Sequence, residues 1–146
     1  MTEDTSVISP RASWHLWAVG ILGVLWNGFG CFDFTMTVTR NEGYLAGYPE
    51  EMLAYWFAMP WWIFALWAVG VFGGLLGSLA LLMKKRLAVL LFAASLLAAI
   101  ISNIIGMTDT DAPKMEGTEI IPVIIIALAA AFLAYAYWQS RRGVLR

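Results

Sequence analysis

Six polar side chains stand out because of where they fall. Asn27, Asp33, Thr37, Arg40, Asn103 and Glu119 interrupt or border long apolar runs. An amide or ionisable group beside a hydrocarbon segment is expensive and is a functional candidate by default. Asp33, Thr37 and Arg40 lie at i, i+4 and i+7, one helical face, so the threonine hydroxyl can bridge an acid and a base. Asn103 reaches a depth similar to Asn27 in a later apolar run, and Glu119 opens the last one. Drawn together, the six would line a polar pocket able to bind a small polar ligand, a cation or a proton, with Arg40 as counter-charge. Taken singly, each has a plainer role. Asn27 would bond to a neighbouring helix, Asp33 and Glu119 would reach water at an interface, and Arg40 would pair locally. Asp33 is the hardest to dismiss, because Phe32 and Phe34 flank it and leave it costly unless paired.

Other chemistries lack their residues. His15 is the single histidine, so neither a bis-histidine haem nor a zinc or iron site is expected, and no cofactor is. Met36, Met52, Met59, Met107 and Met115 gather toward one side, but their spacing is irregular and no second soft ligand joins them, which points to packing rather than metal capture. There is no nucleophile with a histidine partner, no glycine-rich phosphate loop and no Walker-type motif, so the chain is not expected to be an enzyme. The one cysteine, Cys31, excludes an internal disulfide framework. A net charge of -1 gives no basic surface for nucleic acid.

The elements that must position these residues follow from composition. Of 146 residues, 61% are hydrophobic and 13% charged, about half the charge of an ordinary soluble domain. A helix crosses a bilayer with roughly 20 apolar residues. Four runs meet that length, over about 14–37, 59–83, 87–107 and 120–139, and together they make one integral membrane domain. Backbone polar groups in lipid must bond within their own segment, so the runs are predicted to be helices in an all-α membrane four-helix bundle. Pro60 and Pro122 are placed in the first turns of their spans, where a missing N–H is harmless. Between the first two spans, residues 49–58 read as a short helix with Glu50 and Glu51 at its start and enough apolar side chains to lie in the membrane interface. The first span is expected to be retained, since no small-x-small cleavage site follows it.

Charge sets the orientation. With both termini in the cytoplasm, Arg11, Lys84, Lys85, Arg86, Arg141, Arg142 and Arg146 lie inside, leaving Arg40 and Lys114 outside. This N-in/C-in arrangement satisfies the positive-inside rule. The acids divide the other way, with Glu3 and Asp4 inside and the remaining eight outside. Trp56, Trp61 and Trp62 suit an outer aromatic belt, and Trp14, Trp17 and Trp138 an inner one.

Helices in lipid approach through small residues. The first span offers Gly20, Gly23, Asn27 and Gly30 along one stripe. The second offers Gly70, Gly73, Gly74, Gly77 and Ser78, with two overlapping GxxxG patterns. These two are predicted to form a tight antiparallel pair. The third offers Ser95, Ala98, Ala99, Ser102 and Gly106, and the fourth Ala127, Ala130, Ala131 and Ala134, faces that serve either a compact bundle or self-association. The tetrapeptide Trp17-Ala-Val-Gly20 recurs as Trp67-Ala-Val-Gly70, a weak internal echo across oppositely directed spans.

The stretch Trp26-Asn-Gly-Phe-Gly-Cys-Phe-Asp-Phe-Thr-Met-Thr-Val-Thr-Arg-Asn-Glu-Gly-Tyr-Leu45, with Pro60-Trp-Trp and Gly73-Gly-Leu-Leu-Gly-Ser78, resembles small four-span proteins of proteobacterial inner membranes, often given the label sugar transporter. The resemblance covers most of the chain and implies a four-span bundle in the bacterial inner membrane. Two functions are therefore carried forward. The first is a non-enzymatic accessory or structural subunit that binds itself or a larger membrane-protein partner through its small-residue faces. The second is a minimal oligomeric transporter or binding protein for a small polar solute such as a sugar, using Asp33. Small four-helix multidrug exporters place their carboxylate deep in the first helix, whereas Asp33 falls near the outer edge.

Overall fold

Long apolar runs leave the backbone no bonding partner except itself, and each becomes an α-helix. The computed structural model describes residues 11–146; Glu3 and Asp4 lie outside the described residues. Six α-helices follow in order: α1 (Trp14–Val38), α2 (Glu42–Leu45), α3 (Glu50–Ala58), α4 (Trp61–Leu82), α5 (Leu87–Thr108) and α6 (Ile120–Arg141). There is no strand among the described residues. The helices α1, α4, α5 and α6 are each long and apolar enough to cross a membrane; 22 residues of α4, α5 or α6 rise about 33 Å. They run alternately up and down. Arg11, the 84–86 turn and the residues after α6 therefore share a basic end, while α2, α3 and the 109–119 loop share an acidic end.

Boundaries have local causes. Pro60 is the residue just before α4, with extended backbone (φ -65°, ψ 151°), rather than a member of its first turn. That extended residue, with Met59 before it, separates α3 from α4 and makes α3 a helix of its own. Three helices end alike. Past α1, Arg40 has φ 53°; past α4, Lys84 has φ 56°; past α6, Gly143 has φ 72°. In each the next N–H reaches back five residues: Asn41 to Met36 O, Lys85 to Ala80 O and Val144 to Gln139 O. This is the Schellman closure, which satisfies otherwise orphaned carbonyls. At two of the three sites a basic side chain takes the left-handed position usually given to glycine.

The small helix α2 was not foreseen. Asn41 caps it, its side chain accepting from the Tyr44 N–H at 3.0 Å.

Packing centres on α4, which lies along α1 on one side and α5 on the other, with α6 against α5. Along α1, the glycine faces of Gly20, Gly23 and Gly30 meet Leu82, Ser78 and Val71 in turn, so partners descend α4 as α1 ascends. Asn27 belongs to the same seam. Its amide fills the space where a side chain on Gly74 would stand. On the other face of α4, a Cβ on Gly77 would sit 3.0 Å from the Phe92 ring and one on Gly73 3.4 Å from the Leu91 carbonyl of α5. Gly70 works differently: the space beside it is open, and its carbonyl accepts from the Ser95 hydroxyl of α5 at 2.5 Å. Ser78 is fully buried and donates to Gly74 O at 2.8 Å.

The tightest core lies toward the basic end. Leu16, Leu81, Ala88, Phe92, Phe132 and Ala136 are buried there, and Phe92 stacks on Phe132 with ring centroids 5.6 Å apart. Val144 and Leu145 turn back into this core after Gly143.

Candidate functional site

Five of the six candidates lie toward the acidic end and Asn27 sits midway along α1, and the backbone decides how each is used. Asp33 sits in the last turns of α1. Its Oδ1 accepts from the Tyr44 hydroxyl at 2.7 Å. Asn41 caps α2 and so fixes Tyr44, while Phe32 packs edge-on to the Tyr44 ring at 5.5 Å. Its neighbour Phe34 turns to α4 and meets Trp67 and Phe72. The carboxylate is therefore held by a phenol from the next helix. That bond, followed by burial, pushes the Tyr44 phenol up to about 12.

Thr37 shares the face of Asp33 but is buried, 2% exposed, and forms no side-chain bond with Asp33 or Arg40. Arg40 leaves that face because it occupies the left-handed position after α1. Its guanidinium carbon lies 4.3 Å from the Phe57 ring centroid of α3, a cation–π contact. A cavity of about 140 Å³ adjoins this contact, lined by Val38, Arg40, Phe57 and Phe64. Asn27 and Asn103 each turn to their own helix, donating to Gly23 O and Ala99 O at 2.9 Å. Glu119 is exposed at the start of α6. No side-chain hydrogen bond or ion pair joins any two of the six candidates.

A second acid is held in the same manner as Asp33. The Tyr55 hydroxyl of α3 donates to Asp109 Oδ2 at 2.5 Å. Burial, then this bond, pushes Tyr55 up to about 12, while the phenol and the Asp111 N–H hold the Asp109 carboxyl below its ordinary range.

At the basic end a different polar group is buried. Gln139, 1% exposed, donates from Nε2 to the Tyr135 hydroxyl at 2.8 Å. Tyr135 in turn pairs with His15 Nδ1, joining α6 to α1. Trp138 stacks on the imidazole at 5.8 Å. Sequence reasoning left His15 solitary because it sought metal ligands. The usable signal was depth: His15 and Tyr135 both fall in the turns nearest the basic end.

No known protein family, curated protein or solved structure matches the chain. Chemistry at the acidic end is thus read from its own geometry. Two carboxylates are each held by one phenol, two amides are folded onto their own helices, and one arginine lies over an aromatic ring. This arrangement fixes α2, α3 and the loops against the helix ends, and it leaves one oxygen of Asp33 for further bonding.

Two features lie elsewhere. A cavity of about 580 Å³ opens at the basic end beside Arg11, Lys84, Lys85 and Arg146. The alanine face of α6 is exposed throughout: Ala127, Ala130, Ala131 and Ala134 all stand clear of the bundle. Large side chains point outward elsewhere, among them Ile121 and Val123 near the start of α6 itself, Leu25 and Phe29 of α1, Leu76 of α4, and Leu90 and Leu97 of α5, so the four alanines form a small-residue patch in the middle of α6.

Proposed function

We propose that this chain is a non-enzymatic structural or accessory subunit of the bacterial inner membrane, associating laterally through α6. The observation that carries the reading is the contrast between outward faces. Lipid-facing helices favour large apolar side chains, whereas helix–helix contacts in lipid use small ones. Gly20, Gly23 and Gly30 of α1 and Gly73, Gly74 and Gly77 of α4 face neighbours inside the fold, yet Ala127, Ala130, Ala131 and Ala134 of α6 remain uncovered, and α6 is the least enclosed of the four spans. A helix of another copy, or of a larger membrane protein, fits that face.

The positive-inside rule orients the assembly, with the basic end in the cytoplasm and α2, α3 and the 109–119 loop outside. On this reading α3 lies in the outer interface, where its Tyr55, Trp56 and Phe57 suit the headgroup zone. The resemblance to proteobacterial four-span proteins supports the same membrane. The solute-binding alternative, a sugar included, rests on Asp33; the local bonds of Asn27 and Asn103 favour the structural role over it.

Native mass spectrometry of protein gently extracted from its host membrane tests the proposal. A discrete complex, with a second copy or a larger membrane protein, is expected. A lone chain under conditions that preserve known complexes of the same membrane contradicts it.

A further inference from the structure

The cavity at the basic end is built from three separate stretches of chain. Arg11 precedes α1, Lys84 and Lys85 form the turn between α4 and α5, and Arg146 follows α6. Trp17 and Met83 share its lining, and among the described residues no aspartate or glutamate does. Its volume of about 580 Å³ falls within the range of small-ligand sites, roughly 300–1,000 Å³.

Backbone bonds fix the cationic residues in place. The Arg86 N–H donates to Arg146 O at 3.0 Å, and the Arg146 N–H donates to Lys84 O at 2.8 Å, so the 84–86 turn and the chain after α6 are laddered together. Arg86 Nε adds a bond to Leu145 O at 3.3 Å. Val144 and Leu145, buried at 6% and 1% exposure, anchor that ladder in the core. Lys84 is held at φ 56° by the Schellman closure of α4. Basic groups have thus been assembled around one cavity by a rigid frame. Among the described residues, Arg11, Lys84 and Lys85 form no ion pair with a carboxylate. Repulsion between such neighbours is relieved by an anion placed among them.

We infer that this cavity binds a net-anionic phosphate group. The lining also suggests the source. Trp17 and Met83 are 48% and 67% exposed, at the end of the spans where a bilayer's headgroups meet its hydrocarbon. An acidic phospholipid would lodge its phosphodiester among the basic residues and lay its acyl chain along these two side chains. The site is independent of the α6 face and goes beyond a role in assembly.

The test uses the full chain in mild detergent, stripped of lipid and titrated separately with phosphatidylglycerol, phosphatidylcholine and inorganic phosphate. Bound adducts are counted by native mass spectrometry. One phosphatidylglycerol is expected to bind in preference to phosphatidylcholine. Lys85→Gln and Arg11→Gln, both at exposed positions, should each weaken it about five-fold, the effect of roughly 1 kcal/mol per basic residue near an anionic surface. Arg141→Gln removes the same charge from the same end outside the cavity and should leave binding unchanged. Inorganic phosphate that binds once, is weakened by the same two substitutions and displaces the lipid would support the site while assigning it a soluble ligand. Equal binding of both lipids with no bound phosphate overturns the inference. So does an Arg141→Gln variant that weakens binding as much as Lys85→Gln, since the attraction is then a diffuse property of the basic end.

Discussion

The Tyr55 hydroxyl donates to the Asp109 carboxylate at 2.5 Å, joining α3 to the loop after α5 across 54 positions of sequence. Asp33 and Tyr44 repeat the device 11 positions apart. In both pairs a carboxylate toward a helix end is held by a phenol of a short helix at the acidic end. The acidic end is therefore organised by tyrosines, and its acids are holding points for α2 and α3.

This relationship has a pH signature. The Asp109 carboxyl is lowered from its ordinary 3.8, so its contribution to the tie is whole above that value and drains away as pH falls through the lowered one. Tyr55 is raised from 10 to about 12, so its contribution is whole below pH 10 and is lost as pH climbs toward 12. Between those limits the tie should be insensitive to pH. Ultraviolet titration of the tyrosines checks this: Asp109→Asn should lower one late-titrating phenol, with the part due to burial remaining. An unchanged titration would show that Tyr55 does not bond to Asp109 in solution.

The seam between α1 and α4 makes a steric prediction. Gly74→Ala would place a methyl group where the Asn27 amide lies, and overpacking of this kind costs about 1–3 kcal/mol. Gly70→Ala meets open space and should be tolerated. Combining Gly74→Ala with Asn27→Ala should recover much of the loss, because the two changes act on one contact. Reversible unfolding in detergent or bicelles measures all three. Equal losses for Gly70→Ala and Gly74→Ala would contradict the packing described.

At the end of α4, Lys84 occupies backbone suited to glycine. A left-handed conformation disfavours a residue with Cβ by about 1–2 kcal/mol. Lys84→Gly should therefore be more stable than Lys84→Ala by about 1 kcal/mol in the same unfolding experiment. Equal stability would mean that the Schellman closure, and the frame it gives the basic cavity, is not maintained.

Much of the fold was legible because a membrane helix announces itself by length and lack of charge. The four expected spans begin and end within about two residues of α1, α4, α5 and α6, and the helix at 49–58 is α3. The candidate site was less legible, and for identifiable reasons. Spacing placed Arg40 on the face of Asp33, but a helical wheel assumes the helix continues, and at Arg40 the chain turns left-handed and carries the side chain to Phe57. Asn27 and Asn103 can satisfy their amides at i-4 without any neighbour, an option that residue type does not reveal. The tyrosine ties required knowing how α2 and α3 fold back, since Tyr55 and Asp109 are distant in sequence. The basic cavity was read only as an orientation signal, because charge counting records which side a lysine is on and not what it surrounds.

The claim on which the account rests is lateral association through α6. Site-specific photo-cross-linking in native membranes tests it most directly, with a photo-reactive residue at Ala130 or Ala134 and, as controls, at Leu90 or Leu97 of α5. The α6 positions should yield one discrete product, whose mass identifies a second copy or a larger membrane protein, while the α5 positions yield lipid adducts. Lipid adducts alone at Ala130 and Ala134 would contradict the account, because the alanine face would then be an ordinary lipid-facing surface.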